Sequence, residues 1–243
     1  MCIFQVVAAG PRGSIQHAEP GAGSIHYSVT FEFLILSFMK SQSSITTLFT
    51  DIGGVLLTNG WDRRCRKRAV DLFRLDADET EERHHLTFDT YESGKLTLDE
   101  YLGRVVFYEK RSFSRKDFRQ FMFDQSKPLP DMLQLLGQIK KKHRIKLAVI
   151  SNEGRELAEY RIKKFELNQL ADFFIVSSFV HFRKPDLDIF RIALDTAQVL
   201  PQQVIYIEDR AMFVQVAVGL GIHGLHHIDH ETTARKLTKI GLK

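Results

Sequence analysis

Cysteine is nearly absent from this chain: Cys2 and Cys65 are the only two in 243 residues. No disulfide framework can hold the fold, and a reduced, cytoplasmic setting is the expectation. A membrane-length apolar run is missing as well. Val29 to Met39 is apolar but falls short of the roughly 18–20 residues a span needs, and it carries Glu32. No basic cluster precedes that stretch and no small-residue cleavage site follows it, so no secretory signal is expected there. Internal repeats and low-complexity tracts are lacking. The histidines of His226-His227-Ile228-Asp229-His230 match no structural zinc spacing; they follow an expected strand Ile222 to Leu225, where turn and capping roles account for them. One-sided charge is also lacking, since 34 Lys and Arg against 30 Asp and Glu leave a net charge of +4. The run Arg63-Arg64-Cys65-Arg66-Lys67-Arg68 would steer anions, and it reads more readily as a solvated helix face. Without a binding module or a basic stripe interleaved with aromatics, no nucleic-acid partner is expected.

What is present is enough apolar material, 44% of residues, to bury a large core unaided. Four segments within it end in polar groups. The first, Thr47-Leu48-Phe49-Thr50-Asp51-Ile52-Gly53-Gly54-Val55-Leu56, has no polar alternation and reads as an interior strand of a parallel sheet. It closes in a carboxylate and two glycines that let the backbone turn and approach a ligand. The second, Lys146 to Asn152, ends in Ser151 and Asn152 before a helical stretch Glu153 to Leu167, where either residue also suits an N-cap. The third, Arg183-Lys184-Pro185-Asp186, places a lysine before a proline at the start of a helix Asp186 to Thr196, ordinary grammar for a first turn. The fourth, Val204 to Arg210, is an apolar strand ending in Glu208 and Asp209. Strand ends of this kind are where open α/β sheets keep their chemistry.

Taken in order, Asp51, Ser151-Asn152, Lys184 and Glu208-Asp209 resemble the four motifs of the haloacid dehalogenase-like hydrolase superfamily, from about Thr46 to the C-terminus. The steps of 100, 33 and 25 residues from Asp51 to Ser151, Lys184 and Asp209 are similar to those of members with a helical cap between the first two motifs. The resemblance implies a three-layer α/β sandwich around a central parallel, Rossmann-like sheet. It also implies phosphoryl transfer, in which a nucleophile must attack while the phosphate's own charge is cancelled. Asp51 would be the nucleophile, forming an aspartyl-phosphate that water cleaves. Asp51, Asp209 and the Gly53 carbonyl would form a hard oxygen cage for Mg²⁺, with Glu208 acting around it or through a bound water. Ser151, Asn152 and backbone N–H groups after Asp51 would bind phosphoryl oxygens, and Lys184 would neutralise them.

One position departs from the pattern. Most phosphatases of this superfamily carry a second aspartate two residues after the nucleophile, as the acid and base of the reaction; here that residue is Gly53. General acid–base catalysis is worth about 10²–10⁴-fold, so reduced activity on poor leaving groups is expected. A sugar-phosphate phosphatase branch shares the Asp-x-Gly pattern. Dehalogenases also lack the aspartate but place a bulky aromatic there. The expected function is therefore Mg²⁺-dependent hydrolysis of a small phosphometabolite such as a sugar phosphate. The alternatives are a non-catalytic binding or regulatory protein of the same fold and a carbon–halogen hydrolase.

The expected domains are a core of residues 39–59 and 128–243 and a helical cap of residues 60–127, between Gly60 and the return at Pro128-Leu129-Pro130. Trp61, Cys65, Ala69, Leu72 and Phe73 recur at helical spacing as one apolar face. Thr97 or Asp99 starts a helix carrying Leu98, Tyr101, Leu102, Val105 and Val106. Ser114 and Asp117 form a capping-box variant ahead of Phe118, Phe121 and Met122. Caps of this kind exclude water and read the leaving group, and the turn Tyr91-Glu92-Ser93-Gly94-Lys95 is the candidate for substrate selection. The aromatics read as cap core, and His84 and His85 as solvent-facing. The helix Pro130 to Ile139 is followed by Lys140-Lys141-Lys142, which suits its macrodipole. Residues 1–38 fit the rest poorly and are expected to be an extension ahead of a start near Met39, disordered or loosely attached. An intact mass from native expression that includes them would overturn this.

Overall fold

The computed structural model describes residues 44–243; the expectations about residues 1–38 and the start near Met39 lie outside that range. Five parallel strands make one sheet in the order β3-β2-β1-β4-β5, with β1 Thr47–Thr50, β2 Lys146–Ser151, β3 Phe173–Val176, β4 Val204–Glu208 and β5 His223–His226. The apolar runs of β1 and β4 are buried along their whole length, as a strand covered on both faces requires. Side-chain alternation sends Leu48 to one face, against Leu136, Ile139 and Leu237, and Phe49 to the other, against Phe190, Ala193 and Ala217. Those partners come from the covering helices α5 Pro130–His143 and α11 His230–Lys239 on one side, and α9 Leu187–Ala197 and α10 Ala211–Gly219 on the other. The result is a three-layer α/β sandwich. Full burial of Leu48 and Phe49 contributes about 1.5–3 kcal/mol each and fixes the strand that ends at Asp51.

The chain moves outward from β1 through β2 to β3 and then returns to β4 on the other flank of β1. This reversal opens a crevice at the carboxyl end of β1. Parallel register places Thr50 beside Val149 and Ile207, so Asp51 follows at the level where Glu208 ends β4.

Between β1 and α5 come four helices, α1 Arg63–Phe73, α2 Ala77–Glu92, α3 Leu98–Val105 and α4 Arg115–Asp124. They bury their own apolar cluster, with Tyr101, Val105, Phe118 and Met122 fully enclosed and Phe73, Phe107 and Phe113 packed against them. Thr97 and Ser114 are the N-caps of α3 and α4, each closing a reciprocal capping box, with Glu100 and Asp117. Leu72 is a correction to the expected α1 face: it is 63% exposed, because Ala69 and Phe73 already complete the inward stripe. Arg66 takes an inward place instead, pairing with Glu81 on α2 and donating to the Trp61 carbonyl. The chain enters and leaves this region side by side. Thr58 N donates to Lys127 O, and Lys127 N to the Thr58 hydroxyl.

Several boundaries differ from expectation. The helix read from Glu153 begins at Arg155 with Gly154 as N-cap, so neither Ser151 nor Asn152 caps it. It breaks at Glu166, whose backbone is left-handed at φ 51°, into α6 Arg155–Lys164 and α7 Leu167–Leu170. Asp186 caps α9, so Pro185 precedes the cap and does not occupy the first turn. Lys140, Lys141 and Lys142 lie inside the last turn of α5. The short α8 Ser177–Val180 follows β3 directly.

Candidate active site

Asp51, Glu208 and Asp209 bring carboxylate oxygens within 4.8 Å of one another at the ends of β1 and β4. Lys184 enters from the loop before α9. Its side chain is 1% exposed, and Nζ lies 2.7 Å from Glu208 Oε2, 3.3 Å from Asp51 Oδ1, 3.0 Å from the Ile150 carbonyl and 3.1 Å from Tyr206 Oη. Burial alone would push the ammonium toward neutrality. The two carboxylates outweigh it and hold the Lys184 pKa above its ordinary value. Asp51 is raised by burial, with Lys184 opposing and Glu208 adding repulsion.

Both oxygens of Glu208 already accept hydrogen bonds, Oε2 from Lys184 and Tyr206 and Oε1 from the Arg210 N–H. Asp209 differs: its Oδ1 is buried without a protein partner. Asn152 lines the cavity and also has a structural task. Its Nδ2 donates to the Lys184 carbonyl and its Oδ1 accepts from Lys184 N–H, both at 2.8 Å, so the side chain is occupied in holding Lys184. Ser151 remains at the strand end, buried, with its hydroxyl 3.4 Å from Glu153 Oε1.

The two glycines are unlike each other. A Cβ on Gly54 would stand 2.3 Å from Asp209 Oδ2, and its φ is +72°; only glycine lets the backbone come this close to that carboxylate. A Cβ on Gly53 would meet only the end of the Asn59 side chain, at 2.7 Å. That side chain lies in the space beside Gly53 and donates to Asp209 Oδ2 at 3.4 Å.

Asp51, Gly53, Ser151, Asn152 and Lys184 line a cavity of about 320 Å³, at the small end of the range for metabolite sites. Apart from the turn that carries Glu92, its far wall holds groups that local sequence pattern did not mark. Glu153 pairs with the buried Arg161, which also donates to the Thr58 carbonyl. Arg183 pairs with Glu92 and Asp89. His84 is a second correction: Nδ1 lies 2.8 Å from Tyr101 Oη and the ring lines the cavity, while His85 is exposed. Burial, with Arg66 adding, lowers the His84 pKa to about 4. The turn at Gly94 is docked closely, with Ser177 donating to the Glu92 carbonyl and a Gly94 Cβ placed 2.2 Å from the Ser178 carbonyl. The sequence marked one part of this wall, the turn Tyr91 to Lys95 with Glu92 in it; Glu153 could have been noticed only from its place two residues beyond Ser151. In the histidine-rich stretch, His227 bonds Thr233 and Asp229 caps α11; among the described residues, the metal-compatible acidic cluster is the one at Asp51.

A divalent cation fits that cluster. Three carboxylates face one ammonium, leaving an excess of two negative charges, and Asp209 Oδ1, buried without a protein partner, is free to ligate a cation.

Comparison with known proteins agrees with this layout. A family model for haloacid dehalogenase-like hydrolases matches residues 82–225, more than half of the chain, starting downstream of Asp51. A phosphorylated carbohydrates phosphatase of Thermotoga maritima is 28% identical over 136 residues, and the match spans 56% of this chain and 58% of that protein. The fold superposes on a HAD family enzyme of Bacteroides thetaiotaomicron, solved with magnesium and inorganic phosphate, with a TM-score of 0.65 at 22% identity over 76% of this chain and 95% of that one. It also superposes on an L-2-haloacid dehalogenase of Xanthobacter autotrophicus with a TM-score of 0.55 at 14% identity, over 82% and 84% of the two chains. The sheet order, the polar strand ends and the matched profile place one conclusion beyond the fold itself: the chain belongs to the haloacid dehalogenase-like hydrolase family.

Proposed function

We propose that this protein is a Mg²⁺-dependent phosphomonoester hydrolase that works through an aspartyl-phosphate on a small phosphorylated metabolite such as a sugar phosphate. The observation that carries the reading is the convergence of Asp51 with Lys184 and Asp209, where Asp51 and Lys184 line a small cavity. Asp51 attacks phosphorus, and Ile52 N–H, which donates to Asp51 Oδ1 at 2.8 Å, orients the carboxylate for it. Lys184 cancels charge on the phosphoryl oxygens, with Glu208, Tyr206 and Asn152 fixing its two ends. Ser151 and the backbone after Asp51 bind those oxygens. Asp51, Asp209 and the Gly53 carbonyl would hold Mg²⁺, which when bound neutralises the phosphate's charge. Glu208 serves this centre through Lys184.

Residues 60–127 form the cap in this reading. Their separate apolar core and the paired entry and exit at Thr58 and Lys127 support a unit that moves as a body. The phosphatase relative supports a phosphorylated substrate, and the cavity size supports a small one. No helix among the described residues is long and apolar enough to cross a membrane. The cytoplasmic setting expected from the two cysteines is part of the proposal.

A panel of phosphometabolites with released phosphate as readout, with Mg²⁺ and with chelator, tests this. Phosphate release that stops on chelation is the expected result. Folded, Mg²⁺-binding protein that hydrolyses nothing in the panel, activated esters included, would make it a binding protein. Halide release from a haloacid without Mg²⁺ would make it a dehalogenase.

A further inference from the structure

Gly53 leaves the nucleophile without a neighbouring side chain to protonate the departing oxygen. Among the described residues, the cavity over Asp51 is lined by two other carboxyl groups, Glu92 and Glu153, and by one imidazole, His84. His84 is neutral down to a pH of about 4 and has no proton to give near neutrality. Burial raises the Glu92 pKa as well, with Arg183 opposing, but Glu92 Oε2 is taken up by both Nε and Nη2 of Arg183 in the docked turn. Glu153 is arranged differently. Its backbone N–H is fixed by the Ser177 hydroxyl at 3.0 Å. Its Oε1 bonds Arg161 and lies 3.4 Å from the Ser151 hydroxyl. Its Oε2 is buried with no partner at all. The ring of Tyr91 sits on the backbone of Gly154, where a Cβ would be 2.0 Å from it, and Glu153 beside it is buried.

We propose that Glu153 is the general acid and base of the reaction, presenting Oε2 to the leaving oxygen in the role that Gly53 cannot fill. This rests on the phosphatase reading. In the first step Asp51 Oδ bonds to phosphorus, the bond from phosphorus to the ester oxygen breaks with its electron pair on that oxygen, and the Glu153 proton passes to it to give the alcohol. In the second step water bonds to phosphorus, its proton returns to Glu153, and the bond to Asp51 breaks, releasing hydrogen phosphate and restoring both carboxyl groups. Arg161 keeps the other oxygen in place throughout. Burial pushes the Glu153 pKa up to about 7, with Arg161 opposing and Asp51 and Glu92 adding to the rise, so the acid form is present at neutral pH. The charged and titratable groups facing it are Arg161 on α6, Asp51 after β1, and Glu92 and Tyr91 on α2.

The test is kcat/KM with Mg²⁺ for nitrophenyl phosphate and a size-matched alkyl phosphate, in the wild type, Glu153→Gln and Glu153→Asp. This parameter reports only steps up to Asp51 phosphorylation, so loss of the base role does not enter. The alkyl ester needs the acid and the nitrophenyl ester does not. Glu153→Gln is expected to lose about 10²-fold or more on the alkyl ester while staying within about tenfold on the nitrophenyl ester. Glu153→Asp is expected to recover part of the alkyl rate. In the wild type, alkyl kcat/KM is expected to fall as pH rises through about 7, and this limb is expected to vanish in Glu153→Gln. Equal losses on both esters, or none on either, would overturn the role of Glu153. If Glu153→Gln does not fold, a wild-type alkyl rate indifferent to pH between 5 and 9 overturns it equally. A wild type that releases phosphate from neither ester overturns the phosphatase reading first and this proposal with it.

Discussion

Asn152 and Lys184 exchange two hydrogen bonds, side-chain amide to carbonyl and main-chain N–H to amide oxygen, both 2.8 Å long. They fix the backbone from which the buried ammonium reaches Asp51 and Glu208. In the proposed reaction Asn152 therefore acts through the lysine's position. Asn152→Ala removes both bonds, each worth about 0.5–1.5 kcal/mol net, and leaves Lys184 free to drift. The expected result is a fall of about tenfold or more in kcat, by analogy with the 10–100-fold cost of losing groups that orient metal ligands, with KM little changed. A rise in KM at constant kcat would show that Asn152 instead touches the substrate.

The acidic cluster makes a paired prediction. Asp51→Asn keeps the volume and removes the nucleophile, so turnover is expected to disappear while the unfolding midpoint moves little. Asp209→Asn is expected to raise the Mg²⁺ concentration needed for half-maximal rate, because Oδ1 has no protein partner to compensate for a weaker ligand. Mg²⁺ at about a hundred times its dissociation constant stabilises the fold by about 2.7 kcal/mol through mass action, and that increment is expected to shrink in Asp209→Asn. Thermal unfolding with and without chelator reads it. An Asp51→Asn protein as active as the wild type would reject the nucleophile assignment.

The difference between these two sets of residues also explains what could be read in the sequence. Asp51, Ser151, Lys184 and the Glu208-Asp209 pair sit at the ends of apolar runs or at a helix entrance, so local periodicity locates them. The strands β1 and β4 are buried throughout and β2 is buried beyond Lys146, so each reads as an apolar stretch. β3 lies between the short helices α7 and α8 and is only half-buried at Phe173 and Phe174, so nothing around it sets it apart as a strand. The far wall of the cavity was hidden for another reason. Arg161 meets Glu153 and Thr58, Arg183 meets Glu92, and Asn152 meets Lys184 across 32 residues; such pairings depend on topology. His84 looked solvated because charged residues surround it in sequence, yet α2 turns that face toward Tyr101.

His84 gives the fold a pH signature. Its folded pKa of about 4 lies below the ordinary imidazole value of 6.5, so between these values the unfolded chain binds the proton and the folded chain does not. Stability from this group is fully present above pH 6.5 and is lost as pH falls toward 4. His84→Gln, which cannot take up the proton, is expected to flatten the loss of stability across that window. Denaturant midpoints at pH 7, 6, 5 and 4 measure it. Parallel curves for the two proteins would mean that the imidazole charges as easily in the folded state as in the unfolded one.

The two glycines after Asp51 give opposite expectations for the same substitution. At Gly54 the backbone is left-handed at φ +72° and the new Cβ would lie 2.3 Å from Asp209 Oδ2. A non-glycine residue there carries about 1–2 kcal/mol of backbone strain in addition to displacing the carboxylate. Gly54→Ala is therefore expected to lower the unfolding midpoint and to weaken Mg²⁺ binding together. At Gly53 the obstacle is the end of the Asn59 side chain, which can rotate away, so Gly53→Ala is expected to change stability by less than about 1 kcal/mol. Gly53→Asp goes further by restoring a carboxyl beside the nucleophile. If it reaches the leaving oxygen, it should rescue alkyl phosphate hydrolysis in a Glu153→Gln background, because the proton then has a second donor. The comparison is kcat/KM on alkyl and nitrophenyl phosphates for the single and double variants. A Gly53→Ala protein as damaged as Gly54→Ala would show that the space beside Gly53 is closed by more than Asn59, and that the absent aspartate could not have been accommodated there.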